Sequence, residues 1–319
     1  MGSTVYFEPI PWGMWSEDPA GFAAALGASF RETGFAVVAS HPVASEVIDG
    51  AYAASKAFFA LDKEAKGRYH DPDGAGQRGY TPFGKEHAKD KSARLPDAKE
   101  FFHVGRRLPE EAWTAVMKPT PSVREIETFD DDTYALYHAL DQFGRELLRA
   151  IALHLEVPDD LFDGAVAAGN SVLRLLHYPP QPNAPPPGAI RAAAHEDISV
   201  ITLLLGAEEA GLEVKHRSGE WLSLNPPPGS IVINCGDSLQ RLTGGALPST
   251  THRVVNPTPE RALFPRYSSP FFLHFEPDFV IEPIPSALHP EPPITADDFL
   301  MERLTAIGLV KAAAKSVSA

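Results

Sequence analysis

Residues of the types that bind transition metals occur at a spacing that could place them around one ion. His195 and Asp197 are separated by one residue, and His252 follows another predicted strand and turn. Side chains two apart on a β-strand point to the same face, so an extended segment here directs the His195 imidazole and the Asp197 carboxylate to one point. Two histidines and one carboxylate on one face of an octahedron commonly hold divalent iron with open positions. This set predicts a non-haem Fe(II) centre.

Competing histidine–carboxylate pairs occur in the same chain. It has 12 histidines, and H-x-E is found at His274 with Glu276 and at His289 with Glu291. A surface histidine beside an aspartate would give the same two-residue motif without binding a metal, so the dyad alone leaves both possibilities open. His289 stands in a proline-rich stretch near the end of the chain. His274 has only His289 after it that could serve as the second histidine of such a site. The pattern therefore favours the set that includes His195.

A second pair of polar residues could bind a carboxylate. Arg266-Tyr267-Ser268 is the only R-x-S sequence in the chain and begins fourteen residues after His252. On a strand, Arg266 and Ser268 share a face, and a guanidinium fork with a hydroxyl donor suits a carboxylate in both charge and direction. The alternative is a surface arginine that pairs with one of the many acidic side chains.

The first half of the chain is predicted to be mostly helical. Apolar residues at helical spacing predict helices at 20–32, 43–66 and 126–155. A short strand is predicted at 35–38, and residues 67–98, rich in Gly, Pro, Lys and Asp, are predicted to form a long loop. Thr295, with Asp298 three residues later, indicates the start of a last helix.

The second half has the pattern of a β-rich core. Beyond Ser171, short apolar runs separated by Gly, Pro and Asn predict strands at 172–176, 200–205, 212–215, 221–224, 231–234 and 271–275. The Ser218-Gly219 pair between two of these runs indicates a hairpin turn. Many short strands with such punctuation favour an antiparallel barrel or jelly roll.

The composition limits which binding partners and which cellular compartment we expect. Lys and Arg number 28 against 42 Asp and Glu, a formal charge of −14. Nucleic-acid binding needs a positive surface, and the apolar runs are too short for a membrane span, so we expect neither partner. Cys235 is the only cysteine, which excludes an intrachain disulfide and suits a reducing cytoplasm. We expect a cytoplasmic monomer with a small-molecule substrate and a buried, inert Cys235. The sequence contains neither a G-x-S-x-G motif nor a P-loop motif, so it gives no support to the chemistry that those motifs indicate.

Taken in order, these motifs resemble the isopenicillin N synthase-like branch of the iron(II)/2-oxoglutarate-dependent oxygenases, over most of the chain. The N-terminal matches are Thr33-Gly-Phe-Ala-Val-Val-Ala-Ser-His41, Phe58-Phe-Ala-Leu-Asp62 with Lys66, Arg78-Gly-Tyr80 and Lys99-Glu-Phe-Phe-His103. The C-terminal matches are His177-Tyr-Pro-Pro180, Ala194-His-Glu-Asp-Ile198, Ile201-Thr-Leu-Leu204, Gly211-Leu-Glu-Val214, Gly219-Glu-Trp221, Asn234-Cys-Gly-Asp237, Ser249-Thr-Thr-His-Arg-Val254 and Arg266-Tyr-Ser-Ser-Pro-Phe-Phe272.

The resemblance implies a fold, a cofactor and roles for residues. It implies a mainly β protein with flanking helices (α+β), built on a double-stranded β-helix or jelly roll. A helical and loop region at 1–120 would pack as one unit with a core at 121–319 that includes the long helix. Fe(II) would bind His195, Asp197 and His252, and O2 would be the oxidant. The co-substrate 2-oxoglutarate would place its distal carboxylate on Arg266 and Ser268, with Tyr178 helping to hold co-substrate or substrate. The turn residues Asn234, Gly236 and Asp237 would be structural.

Two departures from the plant pattern accompany the resemblance. Ile198 follows Asp197 where plant members usually carry an aromatic residue, which indicates a bacterial member. The spacing from His252 to Arg266 is longer than usual, and Arg261 is the nearest substitute, although no serine stands two residues after it.

The implied activity is oxidation of a small molecule by hydroxylation, desaturation or ring closure, with release of succinate and carbon dioxide. Two alternatives stay open: an oxidase of the same fold that does not use 2-oxoglutarate, and a non-catalytic jelly-roll binding module. Arg78, Tyr80 and Phe102 are candidates for choosing the substrate.

Overall fold

The computed structural model describes residues 7–72, 76–84, 98–113, 117–181, 190–205 and 211–306. These residues form fifteen strands and eight α-helices. The strands are β1 Ile10–Pro11, β2 Phe35–Ala39, β3 Gly79–Thr81, β4 Glu100–Gly105, β5 Val172–Tyr178, β6 Ala192–His195, β7 Ile201–Leu205, β8 Leu212–Lys215, β9 Trp221–Ser223, β10 Ser230–Cys235, β11 His252–Val254, β12 Arg266–Ser268, β13 Pro270–Leu273, β14 Val280–Ile281 and β15 Ile294–Thr295. The helices are α1 Met14–Glu17, α2 Pro19–Thr33, α3 Ser45–Ala60, α4 Lys63–Gly67, α5 Phe129–Leu155, α6 Leu161–Ala165, α7 Asp237–Leu242 and α8 Ala296–Ala306.

Two sheets make the core. The large sheet has the strand order β1-β2-β10-β7-β13-β5-β4-β3, with β12 also paired to β5, and the small sheet has the order β6-β11-β8-β9. Apart from the parallel β1–β2 pair, neighbours in both sheets run antiparallel. An apolar cluster that includes Phe35, Val37, Leu212, Val214 and Val232 packs the two sheets together. The predicted jelly-roll core with flanking helices is confirmed.

The long helix α5 covers the outer face of the large sheet. Its buried residues include Leu136, Leu140, Phe143, Leu147 and Ile151, which recur every three or four positions and so form one apolar stripe. The helix contacts α2, α3 and strands of the large sheet. No helix in the described part of the chain is long and apolar enough to cross a membrane.

The N-terminal segment contributes strands to the same sheet as the C-terminal segment. β2 pairs with β10 and β4 pairs with β5, each along its whole length. Helix α2 ends at Gly34, which has φ +73°, and a Cβ there would lie 2.2 Å from Oγ1 of Thr250. Only glycine fits where the chain turns so close to the segment that leads into β11.

Several predicted boundaries are corrected by local structure. The helix predicted at 43–66 is two helices, because Asp62 accepts a hydrogen bond from the Ala65 backbone N–H (2.8 Å) and starts α4 as its N-cap. The loop predicted at 67–98 contains β3, and its residues 73–75 and 85–97 lie outside the described part. The helix predicted at 126–155 begins at Phe129. The predicted start of α8 is confirmed, since the Thr295 hydroxyl accepts from the Asp298 backbone N–H.

The six apolar runs predicted as strands in the second half are all strands. The run at 212–215 matches β8, and the other five differ from β5, β7, β9, β10 and β13 by one or two residues at either end. The hairpin turn is confirmed, because β8 and β9 pair and Gly219 has φ +89°. The shorter or more polar strands lack such apolar runs and were not predicted. Four of them, β4, β6, β11 and β12, border the site described below.

A buried carboxylate ties the edge of the large sheet to the helices. Glu100 on β4 is 6% exposed and accepts hydrogen bonds from Lys66 (2.9 Å), the Tyr80 hydroxyl and His177 (2.8 Å). Burial would raise the Glu100 pKa, but these hydrogen bonds outweigh burial and lower it from its usual value. The folded state therefore holds Glu100 ionised.

We expect Glu100→Gln to lower the free energy of unfolding by about 3 kcal/mol at pH 7, because Lys66 would be left as a buried charge. The folded-state pKa of Glu100 lies below its unfolded value, so its contribution is present above pH 4.5 and is lost as the pH falls through the folded-state pKa. Urea denaturation at pH 7, 5 and 4 measures the free energy of unfolding. The difference in this free energy between the variant and the wild type should shrink only below pH 4.5. The control is Glu32→Gln, which removes an exposed pair with Arg217 and should cost under about 1 kcal/mol. Equal effects of both variants would contradict the prediction.

Candidate metal centre and co-substrate pocket

Two histidines face each other across a strand pair of the small sheet. His195 ends β6 and His252 begins β11, and the antiparallel register places them directly opposite, with ring centroids 4.3 Å apart. Nδ1 of His195 lies 2.7 Å from the Ala193 carbonyl oxygen, and Nδ1 of His252 lies 3.1 Å from that of Thr250. A carbonyl can only accept, so each Nδ1 carries a hydrogen, and in the neutral form of either ring the lone pair lies on Nε2.

The carboxylate of Asp197 has two oxygens in different surroundings. Oδ2 accepts hydrogen bonds from the Thr202 hydroxyl (2.7 Å) and from Nδ2 of Asn234 (2.9 Å). Oδ1 lies 3.8 Å from Nε2 of both His195 and His252. Oδ2 is thus bound to the large sheet, while Oδ1 points toward the two imidazoles of the small sheet.

The reason these residues converge differs from the predicted one. Asp197 lies in the connection between β6 and β7, outside any strand, so alternation along one strand does not align it with His195. Its backbone carbonyl accepts from the Asp237 backbone N–H (2.7 Å), which holds the connection in place. Cross-strand pairing brings the two histidines together, and a turn held by side-chain hydrogen bonds adds the carboxylate.

The three donor atoms form a group that could hold one metal ion. They lie within 4.8 Å of one another and are the only such group of three found in the described residues. Separations of 3.8 Å are too long for hydrogen bonds between Asp197 and the imidazoles. Donors that share one ion at about 2.1 Å must lie within about 4.2 Å of each other, which both carboxylate–imidazole distances satisfy.

The protonation states also suit a metal. Burial, with a smaller contribution from His252, lowers the pKa of His195 to about 4, so this ring is neutral at pH 7. Burial would raise the pKa of Asp197, but the two histidines and the donors Asn234 and Thr202 outweigh burial and lower it. A neutral imidazole and an ionised carboxylate are the forms that bind metals.

A buried arginine lines the same pocket. Arg266 and Ser268 stand on β12 opposite Tyr178 and Leu176 of β5, and all four line the pocket that contains the three donors. Arg266 is 3% exposed, its Nε has no hydrogen-bond partner, and it makes no ion pair with any described residue. A buried guanidinium without an anion is costly. The pocket therefore fits a ligand carboxylate at this point.

Of the remaining candidate residues, Tyr178 lines the pocket and the others do not. Tyr178 is 2% exposed and its ring centroid lies 5.0 Å from the Arg266 guanidinium. Arg261, the alternative to Arg266, is exposed and does not line the pocket. The suggestion that Arg78, Tyr80 and Phe102 contact substrate is not supported, because none of them lines the pocket.

Strand alternation shows which residues on β4 and β5 face the pocket, and the sequence analysis did not predict these residues as part of the site. On β4 the side chain of Phe102 packs in the core with the helices, so its neighbours Phe101 and His103 point to the other face. On β5 the alternate positions Arg174, Leu176 and Tyr178 all line the pocket. Recognising β4 and β5 as paired strands would have identified this face.

Comparison with known proteins agrees with the geometry. Residues 169–275 match the model of the 2OG-Fe(II) oxygenase superfamily, and residues 10–123 match that of the N-terminal region of non-haem dioxygenases in morphine synthesis. A 2-oxoglutarate-Fe(II) type oxidoreductase of Aspergillus fumigatus is 32% identical over 78% of this chain and 75% of its own length. A 2-oxoglutarate-dependent dioxygenase of Didymella fabae is 32% identical over 84% of this chain and 85% of its own.

The chain belongs to the 2OG-Fe(II) oxygenase superfamily. Among solved structures, this oxygenase resembles a 2OG-Fe(II) oxygenase family protein of Caulobacter crescentus, with a TM-score of 0.88, 48% identity, and coverage of 95% of this chain and 100% of that one. It also resembles a full-length Neurospora crassa protein solved in complex with alpha-KG, with a TM-score of 0.83, 28% identity, and coverage of 94% and 96%. The predicted family, enzyme class and cofactors, Fe(II) and 2-oxoglutarate, are confirmed; a bacterial origin stays a prediction.

We expect Thr202→Val to weaken Fe(II) binding about 10- to 100-fold, because it removes one of the two donors that orient the Asp197 carboxylate. Anaerobic calorimetric titration of the purified protein with Fe(II) measures the effect. Thr133→Val is the matched control, since that buried hydroxyl donates to the Phe129 carbonyl within α5, away from the donor atoms. An unchanged Fe(II) affinity in Thr202→Val would show that this hydrogen bond does not support the site.

Proposed function

We propose that this oxygenase holds Fe(II) with His195, Asp197 and His252 and oxidises a small molecule at that centre. The observation that carries the proposal is the convergence of two Nε2 atoms and one carboxylate oxygen in one pocket. Three protein ligands leave three positions of an octahedral ion for co-substrate and oxygen. Bound Fe(II) with 2-oxoglutarate supplies oxidation of the substrate coupled to release of succinate and carbon dioxide.

The chain's own residues orient the reactants and exclude water. Arg266 and Ser268 would take the distal carboxylate of 2-oxoglutarate, which would give the Arg266 guanidinium the counter-ion that the described residues do not supply. Tyr178 packs against that guanidinium and would limit its movement. Asn234 and Thr202 keep Asp197 Oδ2 occupied, so Oδ1 is the oxygen directed to the metal.

Relatives support a small-molecule substrate. One structure of the same Neurospora crassa protein, with a TM-score of 0.82 and 28% identity to this chain, contains alpha-KG and thymine. We also propose that segments 1–120 and 121–319 act as one unit, as the mixed origin of the large sheet supports. A monomer in the cytoplasm that binds neither nucleic acid nor membrane completes the proposal. The formal charge of −14 and the single, buried Cys235, whose pKa burial raises, support it.

Removing the carboxylate ligand tests the metal assignment. We expect Asp197→Ala to lose stoichiometric Fe(II) binding and to reduce succinate formation from 2-oxoglutarate by about 100-fold or more, because two imidazoles alone hold Fe(II) weakly. Anaerobic metal titration and a succinate assay measure both. Glu196→Gln is the control, since that neighbouring side chain binds the Thr251 hydroxyl instead. Wild-type Fe(II) binding by Asp197→Ala would refute the assignment.

The co-substrate assignment has a separate test. We expect Arg266→Gln to raise the KM for 2-oxoglutarate about 10- to 100-fold, equivalent to about 1.5–3 kcal/mol for a charged hydrogen-bonded pair. Fe(II) binding measured without 2-oxoglutarate should stay at the wild-type value. Arg261→Gln, on the exposed turn before β12, should leave the KM unchanged. If Arg261→Gln changed the KM and Arg266→Gln did not, the two assignments would be exchanged.

A further inference from the structure

A small cavity lies beside the turn that carries Asp197. Its volume is about 20 Å³, and its wall includes Ile198, the residue that directly follows Asp197. The apolar residues Met117, Phe275 and Leu300 also line it. A space of this size holds one water molecule or one polar atom of a larger ligand. The cavity is therefore a confined space next to the proposed metal centre.

The register of the large sheet separates Asp197 from Arg266. Arg266 pairs with Tyr178, the last residue of β5. The Asp197 carboxylate accepts from Thr202 on β7. Because β13 pairs with both β7 and β5, Thr202 is level with Val172, the first residue of β5. The Asp197 carboxylate thus lies near one end of β5 and Arg266 near the other.

The cavity lies beyond Asp197, on the side away from Arg266. Asn170 precedes the first residue of β5 by two positions, and His274 directly follows the last residue of β13. The His274 backbone N–H donates to Oγ of Ser171 (3.1 Å), so the two segments stay side by side past the sheet. Asn170 and His274 both line the cavity. A ligand bound there would approach the metal centre from the side opposite to the co-substrate carboxylate.

The side-chain amide of Asn170 has a fixed orientation. Asn170 is 4% exposed, and its Oδ1 accepts from Nη2 of Arg78 (2.7 Å). A guanidinium can only donate, so the amide oxygen faces Arg78 and the NH2 group is turned away from it. Nδ2 makes no hydrogen bond with any described residue. Asn170 therefore offers an N–H donor to the cavity.

Arg78 is itself held in place by neighbouring backbone. Its Nε donates to the Lys118 carbonyl (3.0 Å) and its Nη1 to the Gln77 carbonyl (2.7 Å). A Cβ on Gly105 would lie 2.0 Å from Nε of Arg78, so β4 passes directly against the guanidinium. Arg78 does not line the cavity. Its contact with the cavity is indirect, through the Asn170 amide that it orients.

The second polar group of the cavity is the imidazole of His274. Burial lowers the pKa of His274 to about 4, although the Asp197 carboxylate raises it, so the ring is neutral at pH 7. A neutral imidazole has one N–H donor and one acceptor nitrogen. Neither ring nitrogen of His274 hydrogen-bonds to a described residue. Polar groups buried without partners cost free energy, which a ligand atom in the cavity would offset.

The lining indicates the chemistry of that ligand atom. An Asn170 N–H and a neutral imidazole N–H together suit an oxygen acceptor with two lone pairs. No lysine or arginine is among the described residues that line the cavity, and Asp297 contributes a carboxylate to the wall. A ligand carboxylate would find like charge there and no cation. A neutral carbonyl oxygen fits, with the apolar wall against the carbon atoms that carry it.

We propose that Asn170 and His274 bind a carbonyl oxygen of the substrate in the cavity beside Ile198, and that the substrate is a neutral, largely apolar carbonyl compound. The inference rests on the proposed function, because it places 2-oxoglutarate at Arg266, on the other side of Asp197. Asn170 and His274 are specificity-determining residues, since a site built around a hydrogen-bonded group rejects analogues that lack it. Arg78 is a positioning residue that acts through the Asn170 amide.

Matched ketones and alkenes test the proposal by binding. Acetophenone with α-methylstyrene, cyclohexanone with methylenecyclohexane, and 1-indanone with 1-methyleneindane differ only in C=O against C=CH2. Each compound is titrated calorimetrically into anaerobic protein loaded with Fe(II) and saturating 2-oxoglutarate. We expect at least one ketone to bind with a Kd about fivefold or more below that of its alkene, because only the oxygen accepts hydrogen bonds. Wild-type protein without such a preference for any pair would overturn the proposal.

Two variants of the lining assign the preference to residues. Asn170→Asp keeps an oxygen acceptor for Arg78 and loses the N–H donors, so the fold is kept while the ketone preference falls to within about twofold. His274→Phe keeps a planar ring and removes its donor, and should weaken ketone binding about threefold or more. The Kd values of the alkenes should stay near wild type in both variants. Asn225→Asp, the same substitution at an exposed position, should bind every compound like wild type.

The role of Arg78 has its own variant. Arg78→Met removes the donor that fixes the Asn170 amide, so ketone binding should weaken about threefold while alkene binding stays unchanged. An effect on packing alone would weaken both members of a pair equally and would overturn the positioning role. If circular dichroism shows that Arg78→Met does not fold, thermal denaturation of Asn170→Asp decides. An aspartate that meets the guanidinium should raise its Tm above that of wild type, and a lowered Tm would contradict the contact.

The proposal and the proposed function fail in different ways. The titration of 2-oxoglutarate that precedes the pairs reports on the Fe(II) centre and Arg266, and it should be unchanged in Asn170→Asp and His274→Phe. Absence of 2-oxoglutarate binding to wild type would contradict the proposed function. Tight 2-oxoglutarate binding, with a ketone preference that survives in both variants, would leave the function intact and overturn the carbonyl site.

Discussion

The proposed site depends on the hydrogen bonds that hold the Asp197 carboxylate, because this group lies between the two sheets. One oxygen accepts hydrogen bonds from Thr202 and Asn234 of the large sheet, and the other faces His195 and His252 of the small sheet. A buried carboxylate needs such partners, since an unpaired buried charge costs several kcal/mol. The same group therefore links the hydrogen bonds of the large sheet to the geometry of the proposed metal site.

The backbone around Asp197 leaves little freedom to that carboxylate. Its carbonyl oxygen accepts from the Asp237 backbone N–H, and the Gly236 backbone N–H donates to the Val200 carbonyl. A Cβ on Gly236 would lie 1.9 Å from the Ser199 carbonyl oxygen, so the turn after β10 and the turn before β7 pack backbone to backbone. Such contact fixes the ligand through main-chain atoms, which is how a site can be held rigid before a metal binds.

The two faces of the large sheet differ in what they contact. The outer face packs on α2, α3 and α5 and carries the apolar core, together with the buried Glu100 network at the edge. The inner face carries Thr202, Asn234, Arg174 and Arg266 toward the pocket. Since neighbouring residues of a strand point to opposite faces, one strand such as β5 can stabilise the fold and line the site at once. The cost of burying polar groups inside is offset by pairing them with each other and with ligands.

The sequence by itself determined the fold class and the family and indicated the proposed ligand residues, because these depend on residue types in a fixed order. His195, Asp197, His252, Arg266 and Ser268 were identifiable from short motifs, and the strand runs after Ser171 were evident from apolar spacing. Only the tertiary structure decided how the donors meet. The pairing of β6 with β11 and the hydrogen bonds from Thr202 and Asn234 join segments far apart in the chain, and no local pattern encodes that proximity. The same is true of Arg174 and Lys99: their place in the pocket follows from which face of the sheet is inside, and that is set by the packing of the helices against the other face.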